Sequence, residues 1–424
     1  MLTLLDRLRN RSCDGASRRD FLRIGSLGMA GLTLPNLLRA KAQAASVGSD
    51  VRHKSVIWLW LAGGPTHVET FDPKMTAPSE YRSMMGEAKT PMAGVTIGGP
   101  FPQIASMGDK FSFIRSFAHG SSSHGNGTTW VMTGYDDRTN MKPSLGSIVA
   151  RKLGTTNEQT GMPTYIKLGN IRSDSAGWLG ARYSPFDSGG QARKNMTISV
   201  PNDRFEGRRG LLNTMDKIRR DVDSSGKMDG LDGFEQQAFD LVMGTSQDAF
   251  DINKEDPKIR KRYGSKSLGD NLLKARRLCE AGCGFVTVSY GGWDMHGGIE
   301  KGMKTRGPEV DQAVSALIED LDQRGMLDDT LFVITGEFGR TPRINSKGGR
   351  DHWGRLCTLA MAGGGLKMGQ VIGESSPRIE VPASRTIKPQ DVMATILHMY
   401  GLDYQLQFIS PQGRPTYMIE DGKP

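Results

Sequence analysis

Cysteine is scarce in this chain, with four among 424 residues. Cys13 lies in the leading segment, which leaves Cys279, Cys283 and Cys357, an odd number that excludes a disulfide scaffold. These three read as small apolar fillers, with a Cys279–Cys283 bond as the alternative. Long apolar runs are missing too. No window reaches the roughly 20 apolar residues that a bilayer span requires, so the mature form lacks a stable membrane span. Nor does one sign of charge dominate. The formal charge is +9, but residues 1–44 hold eight Lys/Arg against three Asp/Glu, a net +5. The remaining 47 basic and 43 acidic residues leave only +4. Without a clustered basic face, that excess argues against nucleic acid as a partner. Repeats and low-complexity tracts are also absent.

What is present starts with a leader. Arg7, Arg9 and Arg11 precede Ser17-Arg18-Arg19-Asp20-Phe21-Leu22, a twin-arginine signature. An apolar, Gly/Ala-rich run from Ile24 to Leu38 follows, and Ala40-Lys41-Ala42 or Ala42-Gln43-Ala44 offers a small-residue cleavage site. Residues 1–44 therefore read as a twin-arginine signal peptide. It would hand the folded chain to the twin-arginine export machinery, for a periplasmic or extracellular location. A retained amphipathic helix is the alternative.

The rest, residues 45–424, reads as a single α/β domain. Five short apolar runs end in glycine and polar residues: Ser55–Leu61, Phe111–Phe117, Phe285–Tyr290, Thr330–Thr335 and Leu356–Met361. Ser55–Leu61 is apolar throughout, as a strand covered on both faces must be. Helical spacing of apolar residues marks Asn271–Ala281, Glu309–Arg324 and Asp391–Tyr400. Alternation of the two predicts a mostly parallel central sheet with helices on both faces. A polar section around 200–265, with helical stretches Leu211–Val222 and Phe234–Met243, reads as an excursion packed on that sheet.

Open α/β sheets bind ligands beyond the carboxyl ends of their strands. Five of the seven histidines fall in the segments expected there: His67, His119, His124, His296 and His352. Asp294-Met-His296 and Asp351-His352 each pair a carboxylate with an imidazole in a glycine-flanked turn, a combination suited to zinc, manganese or iron. The alternative is that Asp294 and Asp351 cap helices or orient the neighbouring histidines. Arg340, Arg343, Arg350 and Arg355 crowd the same region. Their guanidinium forks could hold sulfate, phosphate or carboxylate, or could pair internally with Glu337 and Asp351.

The chain resembles the bacterial DUF1501 proteins of the alkaline phosphatase/sulfatase superfamily. The matching segments are Leu61-Ala-Gly-Gly-Pro-Thr-His67-Val-Glu-Thr-Phe-Asp72-Pro-Lys74, Ala275-Arg-Arg-Leu-Cys-Glu-Ala-Gly282, Trp293-Asp-Met-His296, Gly336-Glu-Phe-Gly-Arg-Thr-Pro342, Gly349-Arg-Asp-His-Trp353 and Ala362-Gly-Gly-Gly365. The resemblance implies a sulfatase-like fold and a divalent metal (zinc, manganese or calcium, one ion rather than two). It implies Asp294, His296, Glu337 and His352 as ligands, to which the Asp351-His352 pair adds Asp351. It also places His124 where the superfamily keeps its nucleophile, and Gly63-Gly64 where a metal-binding Asp would stand. His124 would then attack directly, or His119 or His124 would act as general base for water, with Arg340 assisting catalysis. The implied function is hydrolysis of a sulfate or phosphate ester on an anionic small molecule or polysaccharide. A non-catalytic metal- or glycan-binding protein is the alternative.

Overall fold

The strand Ser55–Ala62 (β1) is buried along its length because alternate side chains enter two different cores. Ile57, Leu59 and Leu61 pack on one side of the sheet, while Val56, Trp58 and Trp60 pack on the other. Burying one such aliphatic side chain contributes about 1.5–3 kcal/mol, so a strand apolar at every position is pulled to the centre of a two-faced sheet. In the computed structural model, which describes residues 53–136, 141–189 and 245–424, β1 occupies that centre. The twin-arginine leader, the cleavage sites, Leu211–Val222 and Phe234–Met243 lie outside the described residues.

The other strands of the main sheet are β2 (Phe111–Ile114), β3 (Tyr165–Leu168), β4 (Phe186–Asp187), β5 (Phe285–Gly291), β6 (Thr330–Thr335), β7 (Leu359–Gly363) and β8 (Gln370–Ile372). Their spatial order is β8-β2-β7-β6-β1-β5-β3-β4. β1 pairs in parallel with both β5 and β6. β7 runs antiparallel to β6 and to β2, the exception in an otherwise parallel sheet. Helices α1 (His124–Thr133), α2 (Leu145–Leu153) and α5 (Pro389–Met399) send buried apolar residues into the Trp58 core. Helices α3 (Ser267–Glu280) and α4 (Ile299–Gln323) cover the opposite face.

Several boundaries differ from the sequence expectation, for identifiable reasons. The run Phe111–Phe117 divides because the chain changes partner: Arg115 N donates to Ile372 O, whereas Ala118 N donates to Ile387 O. The Leu356–Met361 strand shifts to Leu359–Gly363, since Cys357 N is already bonded to Phe117 O. Helix α4 begins at Ile299, ten residues before Glu309, and carries Pro308 inside it. Proline removes one ladder donor, which hides such a helix from periodicity. The short strand Tyr165–Leu168 has no clear signal in the sequence, because Lys167 interrupts its apolar run. Of the expected excursion, the described part includes Pro257–Tyr263, whose Tyr263 hydroxyl donates to Asp320 Oδ2 at 2.9 Å. Cys279, Cys283 and Cys357 are free and buried, which removes the disulfide alternative.

One buried carboxyl gives the fold a pH dependence. Asp174 sits beside β5, accepting from Thr287 Oγ1 at 2.8 Å. Burial raises its pKa to about 7, against the smaller lowering effect of the hydroxyls of Thr287 and Ser144. The unfolded value is about 3.9, so between roughly pH 4 and 7 the folded chain holds a proton that the unfolded chain releases. Stability contributed by this group is therefore complete at low pH and lost as pH rises through that window. Because buried neutral histidines such as His119 change stability in the opposite sense over part of this window, the comparison with Asp174→Asn isolates the effect: between pH 5 and pH 8 the parent's denaturant midpoint should lose ground relative to the variant's. Equal slopes for the two proteins would show that another group is responsible.

Candidate functional site

The ends of β1, β5 and β6 converge, and the sequence places a glycine-rich turn after each. Two of those glycines are required by the geometry. Gly63 has φ +118°, and a Cβ there would meet Asp294 N at 2.5 Å; Gly64 has φ +70°, and a Cβ there would meet the Phe338 ring. Where the superfamily comparison implied a metal-binding carboxylate, this chain brings bare backbone. Gly63 N donates to Glu337 Oε1 at 2.8 Å, and the carbonyls of Gly63 and Gly64 accept from Arg340.

Four side chains from three separate segments meet above this turn. Asp294 and His296 follow β5, and His124 is the first residue of α1. His352 arrives through a two-residue antiparallel pairing, in which it lies opposite Arg340. Ligand atoms of His124, Asp294 and His352 all lie within 4.8 Å of one another. His296 Nε2 is 3.0 Å from Asp294 Oδ1 and 3.0 Å from His352 Nε2. His352 Nε2 is 3.2 Å from Asp294 Oδ1, and His124 Nε2 is 3.4 Å from Asp294 Oδ2. His124, Asp294 and His296 are each between 42% and 46% exposed, so the cluster opens to solvent.

The far side of each imidazole is occupied. His124 Nδ1 donates to Glu337 Oε1 at 2.7 Å, His296 Nδ1 to Asp351 Oδ1 at 2.7 Å, and His352 Nδ1 to the Ser122 carbonyl at 3.0 Å. A carboxylate or carbonyl can only accept, so each ring carries a proton on Nδ1, and in its neutral form turns an Nε2 lone pair inward. Three lone pairs and a carboxylate facing one another repel unless a cation lies between them. His352 is an unfavourable host for an extra proton, because burial, with the nearby Arg340 charge, lowers its pKa against the raising effect of its contact with Asp294. Partial burial pushes the Asp294 carboxyl up, but the Arg340 guanidinium outweighs it and holds the pKa at about 2. The donor set is therefore ionised and nitrogen-rich, and it fits a zinc-type cation better than calcium, which takes oxygen ligands.

Other residues expected at the site stand elsewhere. Glu337 is buried behind His124 rather than beside Asp294, and Asp351 is behind His296. His119 is also buried and has both ring nitrogens engaged: Nε2 donates to Glu337 O at 2.7 Å and Nδ1 accepts from Ser121 N at 3.2 Å. Burial lowers its pKa to about 4, so it stays neutral. Arg340 is fully buried instead of facing an open pocket, with its forks on Asp294 Oδ1 (2.5 Å), Gly64 O (2.7 Å) and Arg350 O (3.1 Å). Arg350 is likewise spent on Glu69. Neither arginine pairs with Glu337 or Asp351, the internal partners expected from sequence. Sequence reasoning missed Glu69 as the partner of Arg350, and no local signal could have found a contact across 281 positions.

Fold and site together define a mostly parallel α/β protein with a histidine/carboxylate cluster at the carboxyl ends of its central strands. The chain belongs to the family described as "Protein of unknown function (DUF1501)", whose model matches residues 53–424. Solved structures similar to it include the PsFucS1 sulfatase from Pseudoalteromonas sp., at 13% identity over 85% of this chain and 70% of that one, TM-score 0.40. A phosphonate monoester hydrolase from Silicibacter pomeroyi is 13% identical over 82% of this chain and 73% of that one, TM-score 0.37. A variant of TAB5 alkaline phosphatase with Mg bound is 12% identical over 82% of this chain and 98% of that one, TM-score 0.38. No curated protein sequence matches. Among the described residues no helix is long and apolar enough to cross a membrane.

Proposed function

We propose that this protein is an exported, metal-dependent hydrolase of sulfate or phosphate esters. The observation that carries the reading is the inward convergence of three Nε2 atoms and one carboxylate, each imidazole being braced from behind. His124, Asp294 and His352 would hold a single divalent cation, zinc or manganese, with His296 beside them. Such a cation, when bound, supplies Lewis-acid stabilisation of the charge that builds on the ester oxygens.

The chain's own groups do the rest. Arg340 keeps Asp294 ionised and takes up Oδ1, leaving Oδ2 turned towards His124. Glu337 fixes His124 as the Nδ1–H tautomer, and His119 anchors the Glu337 carbonyl. Glu337, His119 and Arg340 are in this reading positioning residues. His296 accepts the proton of the attacking water at Nε2 as the ester bond to the leaving oxygen breaks, and the imidazolium, whose Nδ1–H Asp351 holds, then returns a proton to that leaving oxygen. The basic leader with Arg18-Arg19 supports export to the periplasm or beyond, and the anionic substrate, small or polymeric, would be met there.

A panel of chromogenic sulfate and phosphate esters, assayed with zinc, manganese or calcium, tests the proposal. Turnover should appear with zinc or manganese and vanish on chelation; silence with every metal would overturn the hydrolase. One observation favours a second reading, metal binding without catalysis: Arg340 and Arg350, the nearest guanidinium forks, are buried and internally paired. That reading predicts stoichiometric metal and no product. Removing a bracing partner should also tell. Glu337→Ala frees His124 Nδ1 and should weaken metal affinity about 10–100-fold, as loss of such outer partners does. Unchanged affinity by competition titration would remove Glu337 from the site.

A further inference from the structure

A separate cavity of about 540 Å³ opens near the cluster, between the segment at His119, the start of α5 and the loop around Val381. Its size falls within the roughly 300–1,000 Å³ of small-molecule pockets. The walls are apolar: Trp130, Val381, Pro382, Pro389 and Ala118. Two cations stand at the rim, Arg355 and Lys388, both exposed. Among the described residues neither has an ion-pair partner, in contrast to Arg340 and Arg350. No acidic residue lines the cavity. Trp130 lies on α1 six residues after His124, or about 9 Å along the helix, and Arg355 follows His352 by three positions.

We infer that this cavity binds an amphipathic anion: an aromatic ring seated against Trp130 and the prolines, with a carboxylate held by Arg355 and Lys388. An apolar ring gains from burial in the walls, while two cations without an ion-pair partner among the described residues, Arg355 stacked on the Trp353 ring, select against neutral and cationic ligands. That the ligand is the organic part of a substrate cleaved at the histidine cluster rests on the hydrolase reading; the binding itself does not.

Binding is therefore measured on chelator-treated protein, by calorimetry and tryptophan fluorescence. The probes are 2-naphthoate and its neutral isostere 2-naphthamide. The carboxylate should bind at least about 10-fold more tightly, the lower end of what a charge-assisted pair contributes. Arg355→Gln combined with Lys388→Gln should bring 2-naphthoate down to the level of the amide, with 2-naphthamide binding unchanged. Absence of binding, equal affinity for the two probes, or undiminished 2-naphthoate binding by the double variant would each overturn the inference. Because neither metal nor turnover enters, these outcomes are separate from failure of the hydrolase. If both proposals hold, the double variant raises KM for anionic aryl esters more than it lowers kcat.

Discussion

His352→Ala should strip the metal from the protein and abolish turnover, by more than the 10–100-fold that loss of a bracing residue costs. His352 is close to both Asp294 and His296, so its removal opens one side of the cluster. It lies at the end of a two-residue strand with its side chain 25% exposed, and the fold should survive its loss. His124→Ala should act alike, with the added effect of leaving Glu337 Oε1 to Gly63 N alone. Elemental analysis should give about one cation per chain before mutation and background after it, with His398→Ala as a control from α5, away from the cluster. Full metal content in either histidine variant would end the proposal that these atoms share an ion.

Arg350→Met should have the largest effect on stability. The side chain is fully buried, and Glu69, its carboxylate partner, has no exposure either. Both carboxylate oxygens accept from Arg350, at 3.1 and 3.0 Å, and the carbonyls of Thr341, Pro342, Tyr81 and Arg82 accept from the same guanidinium. Replacing one partner leaves a buried charge and several unmade hydrogen bonds, a loss of about 3–5 kcal/mol. The double variant Arg350→Met/Glu69→Leu should recover part of that loss, because no charge is then stranded. Chemical denaturation reads both. A single variant within about 1 kcal/mol of the parent would mean that water reaches the pair.

How much of this was legible beforehand depends on the range of the interaction. The cluster could be anticipated because Asp294, His296, Glu337 and His352 each sit in short polar turns next to runs of buried apolar residues. Which of them face inward could not. Glu337 and Asp294 are similar in sequence terms, yet one is 4% exposed and braces an imidazole while the other is 46% exposed among the inward donors. The difference comes from the turn at Gly63-Gly64, whose backbone takes up Glu337 Oε1 and the Arg340 guanidinium. Arg340 and Arg355 carry the same chemistry, but one is wholly enclosed and the other stands at a cavity rim.

The sequence alone determined the two-faced sheet, because a strand apolar at every position has no stable place except between two layers. It also determined that chemistry would gather beyond the strand ends, since glycine and polar residues cannot continue a buried run. Only the tertiary structure decided the division of labour. Which side chain points inward, which braces and which is spent on internal pairing depends on distances between segments up to 281 residues apart. Those distances are set by packing of the whole core.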